Sequence, residues 1–337
     1  LIRGEFRGLA ERANIERDLV TGLTSSCKRQ VVGYFLDREY VNEAYPEGIE
    51  NVALDSLGGL NSPVFVRTAK LKDYPWNGKL HIGVGSPFAA AWNPIAGFSD
   101  SAGRLMWSAV GDPAMISFPF NGSWMPNRIQ SEVTRVEGQS GGIRVPVDAL
   151  LPQAGTGALQ PVGAGTFGSV KIVYEVLASP FDDSTEMDVA DLLYAYMLPY
   201  RWGAETGADR SYEPRLAPVR AALDERLAGI KVVRIETTKH VVAEGLDVIA
   251  KTPVIEVYLR NAPGDERQVA AVAPPWTTVP WHLLVLMEEA VLRGHAAFSA
   301  EEARRRNVAW LDLVRDPTLL AILKDLVVQF ERDCYRP

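Results

Sequence analysis

Apolar and polar positions alternate most clearly in the middle of the chain. Over residues 169–177 the apolar side chains Val170, Ile172, Tyr174 and Val176 share one side of an extended backbone, which predicts a half-buried strand. Residues 131–137 and 143–150 alternate on either side of Gly138-Gln139-Ser140-Gly141-Gly142, predicting two strands joined by a glycine-rich turn. Shorter apolar runs at 30–36, 64–67, 80–84, 230–235 and 254–259 predict further strands. Helices dominate the second half. Asp188 is placed to cap a helix over 189–198 that stops at Pro199, and a helix over 216–228 ends at Gly229. Residues 283–292 form another, Ser299 with Glu302 makes a capping box for 301–306, and 318–332 is the last. Residues 1–74 show no clean period. The pattern is α/β or α+β, without internal repeats.

Composition narrows the classes. At about 150 residues per domain, 337 residues suggest two domains. Hydrophobic residues at 47% and charged residues at 23% describe an ordinary globular chain. The 35 basic and 42 acidic residues give a net charge of -7, which argues against a nucleic-acid partner. Cys27 and Cys334 lie at opposite ends, too far apart in sequence for a metal knuckle or a redox pair; a disulfide and two free thiols both remain open. Residues 80–99 and 269–287 lack Asp, Glu, Lys and Arg, but Pro87, Pro94, Pro274, Pro275 and Pro280 remove donors that a membrane-spanning helix needs. The chain begins at Leu1 with neither an initiator Met nor a signal-peptide pattern, so a matured product or a fragment is expected.

Two glycine motifs are weighed and set low. Residues 163–170 match GxGxxGxV, but no strand lysine follows to meet phosphates, and a strand opens where a dinucleotide fold needs a helix. Gly138-Gln139-Ser140-Gly141-Gly142 matches GxSxG, with Ser140 as the nucleophile of a serine hydrolase and His240, His282 or His295 as base. That elbow needs a helix after the serine, and Ile143-Arg144-Val145-Pro146 is no helix start. The four histidines lack metal-ligand spacing, so no metal is expected. Glu288-Glu289 diverge by about 100° on a helix and read as its solvated side. Trp92, Trp124, Trp276 and Trp281 fall in or near Pro/Gly segments, where tryptophan can wall a ligand pocket.

The stretch Phe181-Asp182-Asp183-Ser184-Thr185-Glu186-Met187-Asp188-Val189-Ala190-Asp191-Leu192-Leu193-Tyr194 resembles the signature of the family 5 extracellular solute-binding proteins, the peptide- and nickel-type binding proteins of bacterial ABC importers. That signature runs strand, aromatic, His-Asp-Gly, a short gap, then an acid and an aromatic on a helix. Residues 174–177 supply the strand, Asp183 the turn acid, Asp191 the helix acid and Tyr194 the aromatic; Asp182 stands for the histidine and Ser184 for the glycine. Residues 80–84 followed by Trp92-Asn93-Pro94 look like the family's first strand and cleft loop. Residues 230–236 and 254–259 look like a later strand pair, and 273–287 like the loop and helix after it.

The resemblance spans about residues 74–332 and implies a periplasmic-binding-protein-like α/β fold, type II with an extra subdomain, its mixed sheet flanked by helices. Residues 1–73 would be a subgroup-specific segment, and 74–337 the N-terminal lobe and subdomain, ending about where a second lobe would begin. The implied function is periplasmic, extracytoplasmic capture of a small molecule or peptide by hinge closure, for delivery to an ABC permease in the inner membrane. Neither catalysis nor a cofactor is implied. Trp92 and Asn93 carry over as cleft residues; Trp124, Trp276 and Trp281 are added as further ligand-binding candidates. The alternatives are a hydrolase using Ser140 and a non-catalytic interaction or sensor lobe.

Overall fold

The strand pattern around Tyr174 builds the centre of the molecule. The computed structural model describes residues 8–26, 48–55, 62–72, 89–118, 122–136, 141–205, 211–243, 246–263 and 265–333, with isolated positions at 6, 32–33, 40, 59–60, 79 and 81–84. Six strands form the main sheet: β1 (Ile129–Arg135), β2 (Leu150–Pro152), β3 (Leu159–Pro161), β4 (Val170–Val176), β5 (Leu227–Ala243) and β6 (Leu246–Leu259). Their order is β1-β4-β6-β5-β2-β3, with each neighbouring pair antiparallel. The expected mixed sheet is therefore corrected. The long β5–β6 pair is joined through residues 244–245, too short a link for the crossover that parallel strands need.

Among the described residues, the helices of seven or more residues are α1 (Leu9–Thr24), α2 (Ser101–Val110), α3 (Val189–Trp202), α4 (Ala217–Arg226), α5 (Trp281–Leu292), α6 (Ala300–Arg306) and α7 (Pro317–Asp333). One core lies between the sheet and α3, where Ile172, Tyr174, Ile255 and Val257 meet Leu192, Tyr196 and Tyr200. Burying each such side chain contributes roughly 1.5–3 kcal/mol. The polar tips are served too: Tyr174 donates to the Ala270 carbonyl at 2.8 Å and Tyr196 to that of Ala273 at 2.7 Å. A second core is helical, built from Trp202, Leu284, Met287, Phe298, Leu311 and Leu319. Helix α3 serves both cores, with Leu192, Tyr196 and Tyr200 on the sheet side and Tyr194 and Trp202 on the other. That two-sided burial explains why it lacks a polar face.

Several local expectations change. Residues 131–137 and 143–150 do not pair with each other. Instead β1 joins β4, a turn at residues 146–149 splits the second run, Ile143–Arg144 pairs with Phe167–Gly168, and β2 pairs with β3. Residues 64–67 belong to the helix Pro63–Thr68, because Ser62 is extended and Pro63 pre-sets the first helical turn. His81–Val84 are exposed and outside any strand, since no neighbouring strand pairs with them among the described residues. Helix α3 continues through Pro199 to Trp202. The missing N–H costs one bond, while Tyr200 and Trp202 gain burial and Gly203 closes the end on the Pro199 carbonyl. Helix α4 stops at Arg226, where Leu227 turns extended and enters the core. Gly163 and Gly165 adopt positive φ in a turn that runs into the strands Phe167–Gly168 and β4, with no helix opening there. The strand expected at 30–36 lies almost wholly outside the described residues.

Candidate functional site

The signature segment folds as a strand, a tight turn and a capped helix. After β4, Asp183 accepts from the Thr185 N–H at 2.9 Å and from its hydroxyl at 2.6 Å, and the hydroxyl bond holds the Asp183 carboxyl below the usual carboxylate range. Ser184, where the resemblance expects glycine, has φ +68°. A left-handed backbone there is what glycine supplies without strain. Asp188 caps α3 by accepting from the Ala190 and Asp191 N–H groups, and Asp191 reaches back to the Asp188 N–H at 2.9 Å. The other oxygen of Asp191 accepts from the Trp281 N–H at 2.7 Å, at the start of α5. Burial pushes the Asp191 carboxyl up, against these hydrogen bonds.

Among the described residues, no pocket brings the five candidates together. Asn93 is fully buried. Its amide donates to the carbonyls of Phe298 (3.0 Å) and Leu311 (2.9 Å), while its Oδ1 accepts from Ile95 (3.2 Å) and Ala96 (2.8 Å). Two donors and two acceptor sites are the whole capacity of an amide, so Asn93 fastens its loop to the helical layer and has nothing left to offer a solute. Trp92 is half-buried in the same loop. Its ring packs edge-on against Phe98 at 5.1 Å, and Phe98 stacks on Trp107. Gly97 is required here, because a Cβ would lie 2.3 Å from the Ala91 carbonyl oxygen. Trp276 packs against the sheet core and donates its indole N–H to the Asp112 carbonyl at 2.5 Å. Trp281 packs against the helical core beside His282.

Trp124 stands apart. It lies on the short strand Trp124–Pro126 and is 37% exposed. With Arg12, Glu16, Gln268 and Arg226 it lines an open cleft of about 500 Å³, floored by Pro263, Ala271 and Val272. Arg12 is tied to Glu16 at 2.8 Å. Gly122, at φ +64°, lets that guanidinium approach, since a Cβ would sit 3.1 Å from its Nη2. Arg12, Arg226 and Gln268 carry no local motif, and only the fold brings them beside Trp124.

No family model matches this chain, and no curated protein does. The site therefore stands on its own geometry. Ser140 lies outside the described residues; Gly141–Ala149 after it hold a strand and a turn, with no helix. Among the described residues no group of His, Cys, Asp and Glu could hold a metal ion, and no helix is long and apolar enough to cross a membrane.

Glu288 requires a further correction. Expected on a solvated helix side, it is buried at 1% exposure and accepts from the Tyr194 hydroxyl and the Trp202 indole, with Arg201 Nη1 at 3.6 Å. Its neighbour Glu289 does face solvent, bonded to Arg293 at 2.7 Å. Successive helix positions point in different directions, and position 288 faces α3.

Proposed function

We propose that this chain is an extracytoplasmic solute-binding protein that captures a small molecule or peptide for an ABC importer, without catalysis. The observation that carries this reading is the segment after β4. There Ser184, in the signature's glycine position, has a left-handed backbone, and Asp191, in its helix-acid position, sits in the first turn of α3. The Trp124 cleft gives such a protein a place to hold a solute, with one large aromatic wall and several polar groups around it. Closure would follow from contacts the solute makes only in the closed state.

The test is native mass spectrometry of the protein purified from its own source, followed by thermal unfolding with peptides, metal ions, sugars and sterols. A retained small mass, or a melting temperature that rises with one ligand class, supports the reading. No retained mass and no shift with any class would remove it.

A second reading, a non-catalytic interaction lobe, is favoured by one feature. The β5–β6 pair exposes Ile235 at 56% and Ile249 at 73%, and exposed apolar residues on a sheet suit a protein partner. Co-purification of a stoichiometric protein partner, lost on Ile249→Lys, would favour it over solute capture.

A further inference from the structure

Strand β4 stops pairing with β6 at Glu175, opposite Val254, and the chain after it makes one more rung on that edge, where the Ala178 N–H donates to the Lys251 carbonyl at 3.1 Å. The pairing ends there. Pro180 has no N–H to offer, and it bridges Glu186 as the chain turns away. Lys251 thus turns its backbone toward this edge, and in a strand the residue two positions along turns the same way. That residue is Ile249, whose N–H and C=O meet no strand on this side among the described residues. Past the last rung lies a pocket of about 360 Å³, walled by Leu177, Ala178, Pro180, Met187 and Ile249. Its charged lining groups are already matched: Arg128 bonds Asp112, and Lys251 bonds Glu186. It shares no lining residue with the Trp124 cleft.

The blander account is an edge left to water. Water serves the two backbone groups of Ile249 but leaves the apolar walls wet, whereas ligand pockets combine such walls with a few placed polar groups. The geometry of the edge specifies the partner. In an antiparallel rung two residues exchange both N–H···O bonds, so the partner needs an N–H and a C=O on the same side of one carbon. A single trans amide points the two in opposite directions; an acylated amino-acid amide points them the same way. The apolar walls suit an apolar group on that carbon, and the paired ions leave a charged one nothing to meet. We propose that this pocket takes a small, neutral, acylated amino-acid amide, bonded to the backbone of Ile249, with its apolar side chain against Leu177, Pro180 and Met187. The site goes beyond the solute reading of the Trp124 cleft and does not depend on it.

The test is an NMR titration of the full chain carrying isotope-labelled isoleucine, with Ile249→Val identifying the Ile249 amide peak. The probes are N-acetyl-leucine N-methylamide, its ester analogue in which oxygen replaces the leucine N–H, and N-acetyl-leucine, which carries a free carboxylate. The neutral amide is expected to move the Ile249 peak saturably and to bind about ten-fold more tightly than the ester, the effect of one lost hydrogen bond. The carboxylate should bind more weakly than the amide. Ser179→Phe, which fills the pocket from a half-buried wall, should weaken the response about ten-fold or more, whereas Trp124→Ala should keep it. A urea midpoint for Ser179→Phe matched to the parent's guards against misfolding; if it falls, the ester comparison on the parent carries the test. An Ile249 peak that stays still up to the solubility of the probe, or equal affinity for amide and ester, overturns the inference. So does a carboxylate that binds at least as tightly as the amide. Loss of the response in Trp124→Ala overturns it too, since the probe would then sit in the other cleft. None of these outcomes touches the solute reading, which the retained mass in the native spectrum decides separately.

Discussion

Asn93→Ala offers the sharpest test of how the loop at residues 91–98 is held. The substitution removes four hydrogen bonds from a side chain with no exposed surface. The Phe298 carbonyl keeps the Trp310 indole as a donor at 2.8 Å, so it is not orphaned. Three groups are: the Leu311 carbonyl and the N–H groups of Ile95 and Ala96. A buried unsatisfied group costs about 1–3 kcal/mol, and with partial relaxation of the loop we expect a total loss of roughly 3–5 kcal/mol. Urea unfolding followed by tryptophan fluorescence reads this as a lower midpoint at unchanged slope. Asn93→Asp is a useful companion. It keeps an acceptor for Ile95 and Ala96 but turns a carboxylate toward two carbonyls at neutral pH, so its defect should shrink at pH 4, where the acid can donate. A loss below about 1 kcal/mol for Asn93→Ala would refute the reasoning, and would return the residue to the role of solute anchor that the cleft-loop resemblance gives it.

Other outcomes follow from single sites. Ser184→Gly should stabilise the fold by about 1 kcal/mol, because φ +68° strains a residue with a Cβ; a lower melting temperature would mean that the serine side chain contributes something unseen. Glu288→Ala should cost roughly 3–5 kcal/mol, since it removes the buried acceptor of the Tyr194 hydroxyl and the Trp202 indole and the negative charge beside Arg201; Glu288→Gln should recover part of that in the same urea titration. Glu302 has its carboxyl held below the ordinary range by the Arg305 hydrogen bond, with Arg306 adding to it. Its folded value lies below its unfolded one, so its contribution is full above the unfolded value and is lost as pH falls through the folded one. Glu302→Gln should therefore flatten the acid side of a stability-versus-pH curve, and an acid limb as steep as the parent's would exclude Glu302 as a contributor.

How much was legible depends on where each residue finds its partners. Strand β4 and helices α3, α6 and α7 were readable because their periods and caps are local; Asp188 bonds residues two and three positions on. Helix α1 was not, because none of its residues is buried and so no apolar stripe marks it. Residues 64–67 misled for a different reason. Val and Phe suit a strand or a buried helix equally, and Pro63 decides between them only once it is taken as a first helical residue. Asn93 bonds Leu311 across 218 positions, and Glu288 meets Trp202 across 86. Such pairings leave no trace in spacing, so a buried amide looked like a solute anchor and a buried acid like a surface one. Arg226 and Arg12 were missed because their relevance exists only beside Trp124.

Asp191 has a consequence for the order in which the chain is completed. Its carboxylate joins the first turn of α3 to the first residue of α5, 90 positions later. During synthesis α3 emerges first, with one oxygen of that acid still lacking the partner it has in the finished protein. When Trp281 arrives, it closes the bond and ties the start of α5 to the capped end of α3. In reverse, fraying at the start of α5 uncovers a carboxylate that also braces α3, so an opening that begins in one helix reaches the first turn of the other.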